Sequence, residues 1–189
     1  MSYKILTVNP GSTSTKVALF IDQKEVFKKN IKHSAEEIAK FERISDQLPF
    51  RMDVIMKELE QDNVDLNGLN AVMGRGGLLH PLASGVYEVN EAMRRDLNNS
   101  PFGEHASNLG GLIAFNIAEK FGVKAFIADP VIVDEMDEIA RFSGHPLFPR
   151  HSIFHALNQK IIARTHAKSV NKRYEDMNLI GIHLGGGIS

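Results

Sequence analysis

The chain has 189 residues, 43% of them hydrophobic, no cysteine, and a formal net charge of −1. This is an ordinary globular composition, long enough for one domain or for one domain and part of another, and too weakly charged to argue for nucleic acid or an anionic membrane surface as a partner. Without cysteine there are no disulfides and no thiol catalysis; with no run near ~20 apolar residues and no signal peptide at the start, the expectation is a cytoplasmic protein without a membrane partner.

Tyr3–Val8 reads as a buried strand and Val17–Ile21 as a second. Between them Asn9-Pro10-Gly11-Ser12-Thr13-Ser14-Thr15-Lys16 forms a small, hydroxyl-rich hairpin turn. Backbone N–H groups, hydroxyls and one lysine converge there without a bulky side chain to block approach, which suits a phosphate. It is not a P-loop. That motif needs glycine directly before Lys-Ser/Thr and a helix after it, whereas Thr15 precedes Lys16 and a β-branched, aromatic run follows. On these residues alone, a polar turn without a ligand stands beside the phosphate reading.

Glu25–His33 alternates as a third, partly exposed strand, and Ser34 with Glu37 makes a capping box for a short helix. Asp46–Asp62 carries Phe50, Val54, Ile55 and Leu59 at helical spacing. Asn70–Met73 is a short strand ending in Gly74-Arg75-Gly76-Gly77; Gly85–Val89 is another, and Asn90 caps a helix through Leu97. After Pro101-Phe102-Gly103 a long helix rich in small residues runs from about His105 to Phe121. Val123–Ala128 is a strand reaching Asp129-Pro130, Val131–Phe142 a helix, Ile153–Lys172 a long helix and Leu179–Leu184 a strand leading into Gly185-Gly186-Gly187. A three-strand meander followed by alternating helices and strands predicts an α/β fold. Gly144–Arg150 is the candidate boundary, dividing the chain into domains 1–150 and 151–189. The last strand opens a hairpin that is not closed, so the chain reads as a fragment of a longer protein.

Several residues could carry chemistry. Arg75 sits between glycines just after a strand, where a carboxylate or phosphate can approach the backbone and take two parallel hydrogen bonds from the guanidinium. A surface arginine on a turn is the bland alternative. Asp129 ends a strand, at the sheet edge where ligands of open α/β folds gather; it could order Mg²⁺, polarise a nucleophile, or merely cap the next helix. His105 near the start of the long helix could be no more than a polar residue in a first turn. His151 and His155 are four apart on an expected helix, a spacing that could hold zinc, but no third ligand or His-Glu-x-x-His pattern supports it.

Asn-x-Gly-Ser-x-Ser-x-Lys after a strand resembles the phosphate-binding hairpin of the acetate and butyrate kinase family, within the superfamily of actin, hexokinase and the 70-kDa heat-shock proteins. Gly74-Arg75-Gly76-Gly77…His80-Pro81 resembles the segment whose Arg holds the carboxylate substrate, Glu104-His105-Ala106-Ser107-Asn108 an active-site segment, and Ile153-Phe154-His155 the Gly-Phe-His of a further one. His183-Leu184-Gly185-Gly186-Gly187-Ile188-Ser189 resembles the second phosphate loop. The resemblance covers residues 4–189, about the first half of a typical member. It implies a ribonuclease-H-like, actin-type ATPase domain with a mixed sheet and the start of a second similar domain. It implies reversible transfer of the ATP γ-phosphoryl group to butyrate or a similar short-chain carboxylate, giving acyl phosphate and ADP, with Mg²⁺ as cofactor and a homo-oligomer when the chain is complete. By the same resemblance Arg75 would hold the carboxylate with Gly76, Gly77, His105 and Phe154 around it. Asn9, Ser12, Ser14, Lys16, His183, Gly185, Gly186 and Gly187 would line the phosphate path, His155 would donate to the transferring group, and Asp129 would order Mg²⁺ or the nucleophile. Acetate kinases carry bulky aliphatic residues just after this Arg; Gly76 and Gly77 would leave room for further methylenes, each worth ~0.8 kcal/mol on burial, and so for a longer acyl chain. The family's second His of that segment falls on Gln159, which puts a role for it in doubt. A sugar or glycerol kinase of the superfamily, and a remnant without enzymatic activity, are the rivals. Asn9 in place of an acid, with Arg75, favours the carboxylate.

Overall fold

The computed structural model describes residues 2–184. Lys4–Pro10 (β1), Ser14–Ile21 (β2) and Lys24–Lys32 (β3) form the expected antiparallel meander. Ala71–Arg75 (β4), Val86–Glu88 (β5) and Lys124–Ala128 (β6) complete the sheet: β4 lies parallel to β1, β6 parallel to β4, and β5 antiparallel to β6 at the edge. The six strands run in the order β3-β2-β1-β4-β6-β5, a mixed sheet of the expected kind. Parallel neighbours need crossovers, and the helices supply them. Ser34 caps Ala35–Ile38 (α1) with both halves of the capping box present. Leu48–Gln61 (α2) stands between β3 and β4, and Glu91–Asn99 (α3), capped by Asn90, precedes Asn108–Phe121 (α4).

The chain divides into two compact units, Met1–His80 with Gly85–Ala128, and Pro81–Ser84 with Asp129–Ser189. This division falls after Ala128, earlier than the boundary near 150 read from the Pro-containing stretch. In the first unit, α4 buries Leu109, Ile113 and Ile117 completely and packs on β1, β4 and β6. Its glycines allow the close crossing: a Cβ on Gly74 would lie 2.2 Å from the carbonyl oxygen of Gly110, and one on Gly110 2.1 Å from that of Arg75. The helix begins at Asn108 rather than His105, because the His105 ring bonds Ser107 and holds 105–107 in a turn.

In the second unit, Ala156–Ser169 (α5) is shorter than the 153–172 expected. The helix expected over 131–142 does not form. Val131-Ile132-Val133 are β-branched and disfavour it; Val133 instead pairs with Leu82 in a parallel bridge, Asp134 takes both Arg141 and the Met136 N–H, and only Glu138–Arg141 turns, as a short 3-10 helix. The strand expected over 179–184 is likewise absent. A strand needs a partner strand for its backbone groups, and Leu179–His183 lies instead along α5, lining a groove with Asn158 and Ile162.

Candidate functional site

Three strands of the first unit run parallel, so their carboxyl ends share one sheet edge. Val8 pairs with Gly74 and Arg75 with Ala128, so Asn9 and Arg75 leave the sheet side by side, at the edge where open α/β sheets bind ligands. The hairpin rises from that edge. Asn9 pairs with Lys16, both exposed; the Gly11 N–H donates to the Ser14 carbonyl at 2.7 Å; and the Thr13 carbonyl accepts the His33 N–H at 2.9 Å. Ser12 and Thr13 at the tip are exposed and Ser14 half-buried.

Beneath the turn lies a residue the sequence reading passed over. Arg51 of α2 is 1% exposed, and its guanidinium reaches the Gly11 and Ser12 carbonyls, Thr15 Oγ1 and Gln47 Oε1. Its position was a signal: Gln47, Arg51, Ile55 and Leu59 recur every four residues along the buried stripe of this helix. Thr15 Oγ1, accepting from Arg51, has its own proton to give to Nε2 of buried His33 at 2.9 Å. Burial, and then the charge of Arg51, push the His33 pKa below its ordinary value, so the ring is held neutral.

Arg75 is half-buried, and burial alone pushes its pKa down, with no carboxylate beside it among the described residues. A desolvated guanidinium without a counter-ion is completed by an incoming anion. The room expected beside Gly77, however, is taken by the fold. A Cβ there would lie 2.6 Å from both Cα and Oδ1 of Asn108 and 2.8 Å from Leu97. Asn108 staples this turn to the start of α4, accepting the Leu78 N–H at 2.8 Å and donating to the Gly103 carbonyl at 3.0 Å. The glycine at 77 therefore serves helix packing, which removes its part in the argument for a longer acyl chain; Gly76 is buried. His105 is exposed, with Nδ1 2.7 Å from Ser107 Oγ.

In the second unit Asp129 is buried and sits at φ 36°, a left-handed conformation uncommon for a residue with a side chain. Such strain gathers at functional positions. Its Oδ1 accepts from Ser84 Oγ at 2.7 Å. No helix starts directly after it, the next turn of helix being Glu138–Arg141, so Asp129 caps none. Proteins commonly hold Mg²⁺ through one or two carboxylates completed by water and substrate phosphates, so the Asp129 carboxylate has the chemistry of a ligand for that ion. His155 precedes α5 and stacks on His183, ring centroids 4.0 Å apart and planes 12° from parallel, while His183 Nδ1 lies 3.3 Å from Asn158 Oδ1. The half-buried Phe154 donates its N–H to the Val131 carbonyl. His151 and His155 both precede the helix, so the i, i+4 zinc geometry is not formed, and no cluster of three metal-ligating side chains occurs among the described residues. Among the same residues, no helix is long and apolar enough to cross a membrane. Gly185, Gly186 and Gly187 lie outside the described residues.

No protein-family model matches the chain. It is 56% identical over 187 residues to butyrate kinase 1 of Clostridium acetobutylicum, which takes in 99% of this chain and 53% of that protein. It is 54% identical over 189 residues to butyrate kinase 2 of the same organism, and 50% identical over 189 residues to a probable butyrate kinase of Listeria innocua; each match takes in all of this chain and 53% of the relative. The chain thus spans about half the length of the curated relatives it matches. Among solved structures it is similar to an acetate kinase of Porphyromonas gingivalis (TM-score 0.67, 16% identity) and a propionate kinase of Francisella tularensis (TM-score 0.60, 16% identity), each covering 98% of this chain and 53% of the other. These two show the fold alone, one that the chain shares with that acetate kinase and that propionate kinase.

Proposed function

We propose that the chain forms part of a butyrate kinase of the acetokinase family, which transfers the γ-phosphoryl group of ATP to butyrate or a similar short-chain carboxylate and runs the reaction in reverse. A carboxylate oxygen attacks the γ-phosphorus as the bond from that phosphorus to the ADP oxygen breaks. No general base is required, because the acceptor is already ionised at neutral pH. Catalysis is then a matter of positioning and of stabilising charge. Arg75 holds and orients the carboxylate. Asn9, Ser12, Ser14 and Lys16 receive phosphate oxygens, His155 and His183 donate to the transferring group, and His105 and Phe154 border the acceptor. Asp129 would hold Mg²⁺, which supplies neutralisation of phosphate charge when bound.

The observation that carries this reading is Arg75 itself, a half-buried guanidinium at the carboxyl edge of the sheet whose charge meets no carboxylate among the described residues. The test is to join the chain to the C-terminal half of butyrate kinase 1 of Clostridium acetobutylicum and trap acyl phosphate with hydroxylamine. ATP-dependent butyryl hydroxamate from the joined protein, and none from the 189-residue chain alone, is the expected result. A folded, nucleotide-binding joined protein that makes no hydroxamate from any short-chain acid contradicts the reading.

A further inference from the structure

The phosphate hairpin is seated on a buried cation. Arg51 Nη1 donates to the Gly11 carbonyl at 2.8 Å and to Thr15 Oγ1 at 3.1 Å, Nη2 to the Ser12 carbonyl at 3.1 Å, and Nε and Nη2 to Gln47 Oε1 at 3.1 and 2.9 Å. All three nitrogens are thus satisfied, but by neutral acceptors; no carboxylate pairs with Arg51 among the described residues. Hydrogen bonds from neutral groups satisfy the guanidinium's geometry and leave its charge unbalanced. In a partly buried site that charge is weakly screened.

The direction of the carbonyls matters as much. A trans peptide sends its N–H opposite to its C=O. With the Gly11 and Ser12 carbonyls turned in to Arg51, the N–H groups of Ser12 and Thr13 point away from it. Both residues are exposed, and neither N–H meets an acceptor among the described residues. Two outward amides over an unbalanced cation make an anion seat, and the cation beneath holds the peptides in that orientation.

We propose that Arg51 is a positioning residue for phosphoryl transfer. It turns the Gly11–Thr13 peptides so that the Ser12 and Thr13 amides face a phosphate group, and it lends that seat a positive charge from below. The inference rests on the phosphate reading of the hairpin, and it adds a residue that touches no substrate.

The probe is inorganic tripolyphosphate, titrated into the 189-residue chain while the amide resonances of Ser12 and Thr13 are followed by NMR. In the unmodified chain both amides shift and saturate. Lys16→Ala weakens binding while leaving the starting positions of the two resonances unchanged, since it removes only an exposed charge. Arg51→Met moves those starting positions and weakens binding by ~10-fold or more, the scale of one lost charge-assisted interaction. Arg51→Lys keeps the charge without the planar fork and falls between the two. Resonances of β4 and β6 report whether each variant is folded; should Arg51→Met not fold, Arg51→Lys decides. Unmodified affinity with unmoved amides in a folded Arg51 variant overturns the inference and leaves the phosphate reading standing. No saturable shift at Ser12 and Thr13 in the unmodified chain overturns the phosphate reading, and the inference with it.

Discussion

Replacing Gly74 by alanine tests the crossing of β4 and α4, on which the placement of Arg75 depends. The new Cβ would lie 2.2 Å from the carbonyl oxygen of Gly110 and 2.5 Å from its carbon, both backbone atoms that no rotamer change can move aside. To restore ordinary van der Waals contact, α4 must retreat by about 1 Å. That helix carries Leu109, Ile113 and Ile117, all fully buried, so the retreat loosens the first unit's core. Overpacking of this kind costs ~1–3 kcal/mol. At ~2–4 °C per kcal/mol for a chain of this size, the melting midpoint should fall by ~2–12 °C. Gly111→Ala is the control. Its Cβ would meet the Leu97 Cδ1 methyl at 2.7 Å, the end of a flexible side chain. Alanine also favours a helix over glycine by ~1 kcal/mol, so the two effects nearly cancel. Circular-dichroism melts of the two variants read the difference. Equal midpoints for Gly74→Ala and the unmodified chain, or equal losses in both variants, would refute the reasoning.

Three further outcomes are expected. Gly77→Val should destabilise by ~2 kcal/mol or more, because its side chain meets Asn108, and a stable variant with a changed butyrate-to-acetate preference would contradict that packing. Because burial and Arg51 depress the His33 pKa, folding favours its neutral ring; the stability it contributes is complete above its unfolded pKa of ~6.5 and is lost as pH falls below that value and through the depressed folded pKa, so a melting midpoint that does not decline on acidification below ~6.5, or declines equally in His33→Gln, would count against the buried neutral ring. Asp129→Asn keeps an oxygen for Ser84 Oγ and tolerates φ 36°, so the melt should hold while hydroxamate formation by the joined protein falls ~10²-fold or more; undiminished turnover would remove Asp129 from the chemistry.

Most of the first unit was legible because its signals are local. The alternation of β1 to β3, the Ser34 and Asn90 caps and the strand at 124–128 each depend on neighbours within a few residues. The second unit misled where partners distant in the chain decide the outcome. Val131–Phe142 has a helical look, yet Leu82, some fifty residues earlier, claims Val133 as a bridge partner. Leu179–Leu184 looks like a strand, yet Leu179–His183 runs unpaired by any strand among the described residues and lines a groove with α5, with a bridge only at Leu184. The same distinction divides the candidate residues. Arg75 and Asp129 were visible at strand ends beside glycine or proline. Arg51 was hidden, since an arginine on a helix reads as solvated unless its phase on the buried stripe is weighed. Gly77 was misjudged because the space beside a glycine belongs to whatever packs there, here Asn108.

The central claim, that Arg75 holds the carboxylate, is tested most directly by the kinetics of Arg75→Ala in the joined protein with butyrate and ATP. Loss of a charge-assisted contact in a half-buried site costs ~3 kcal/mol, so kcat/KM for butyrate should fall by ~10²-fold or more while the KM for ATP stays within a few-fold. A folded Arg75→Ala variant with near-normal kcat/KM for butyrate would contradict the account.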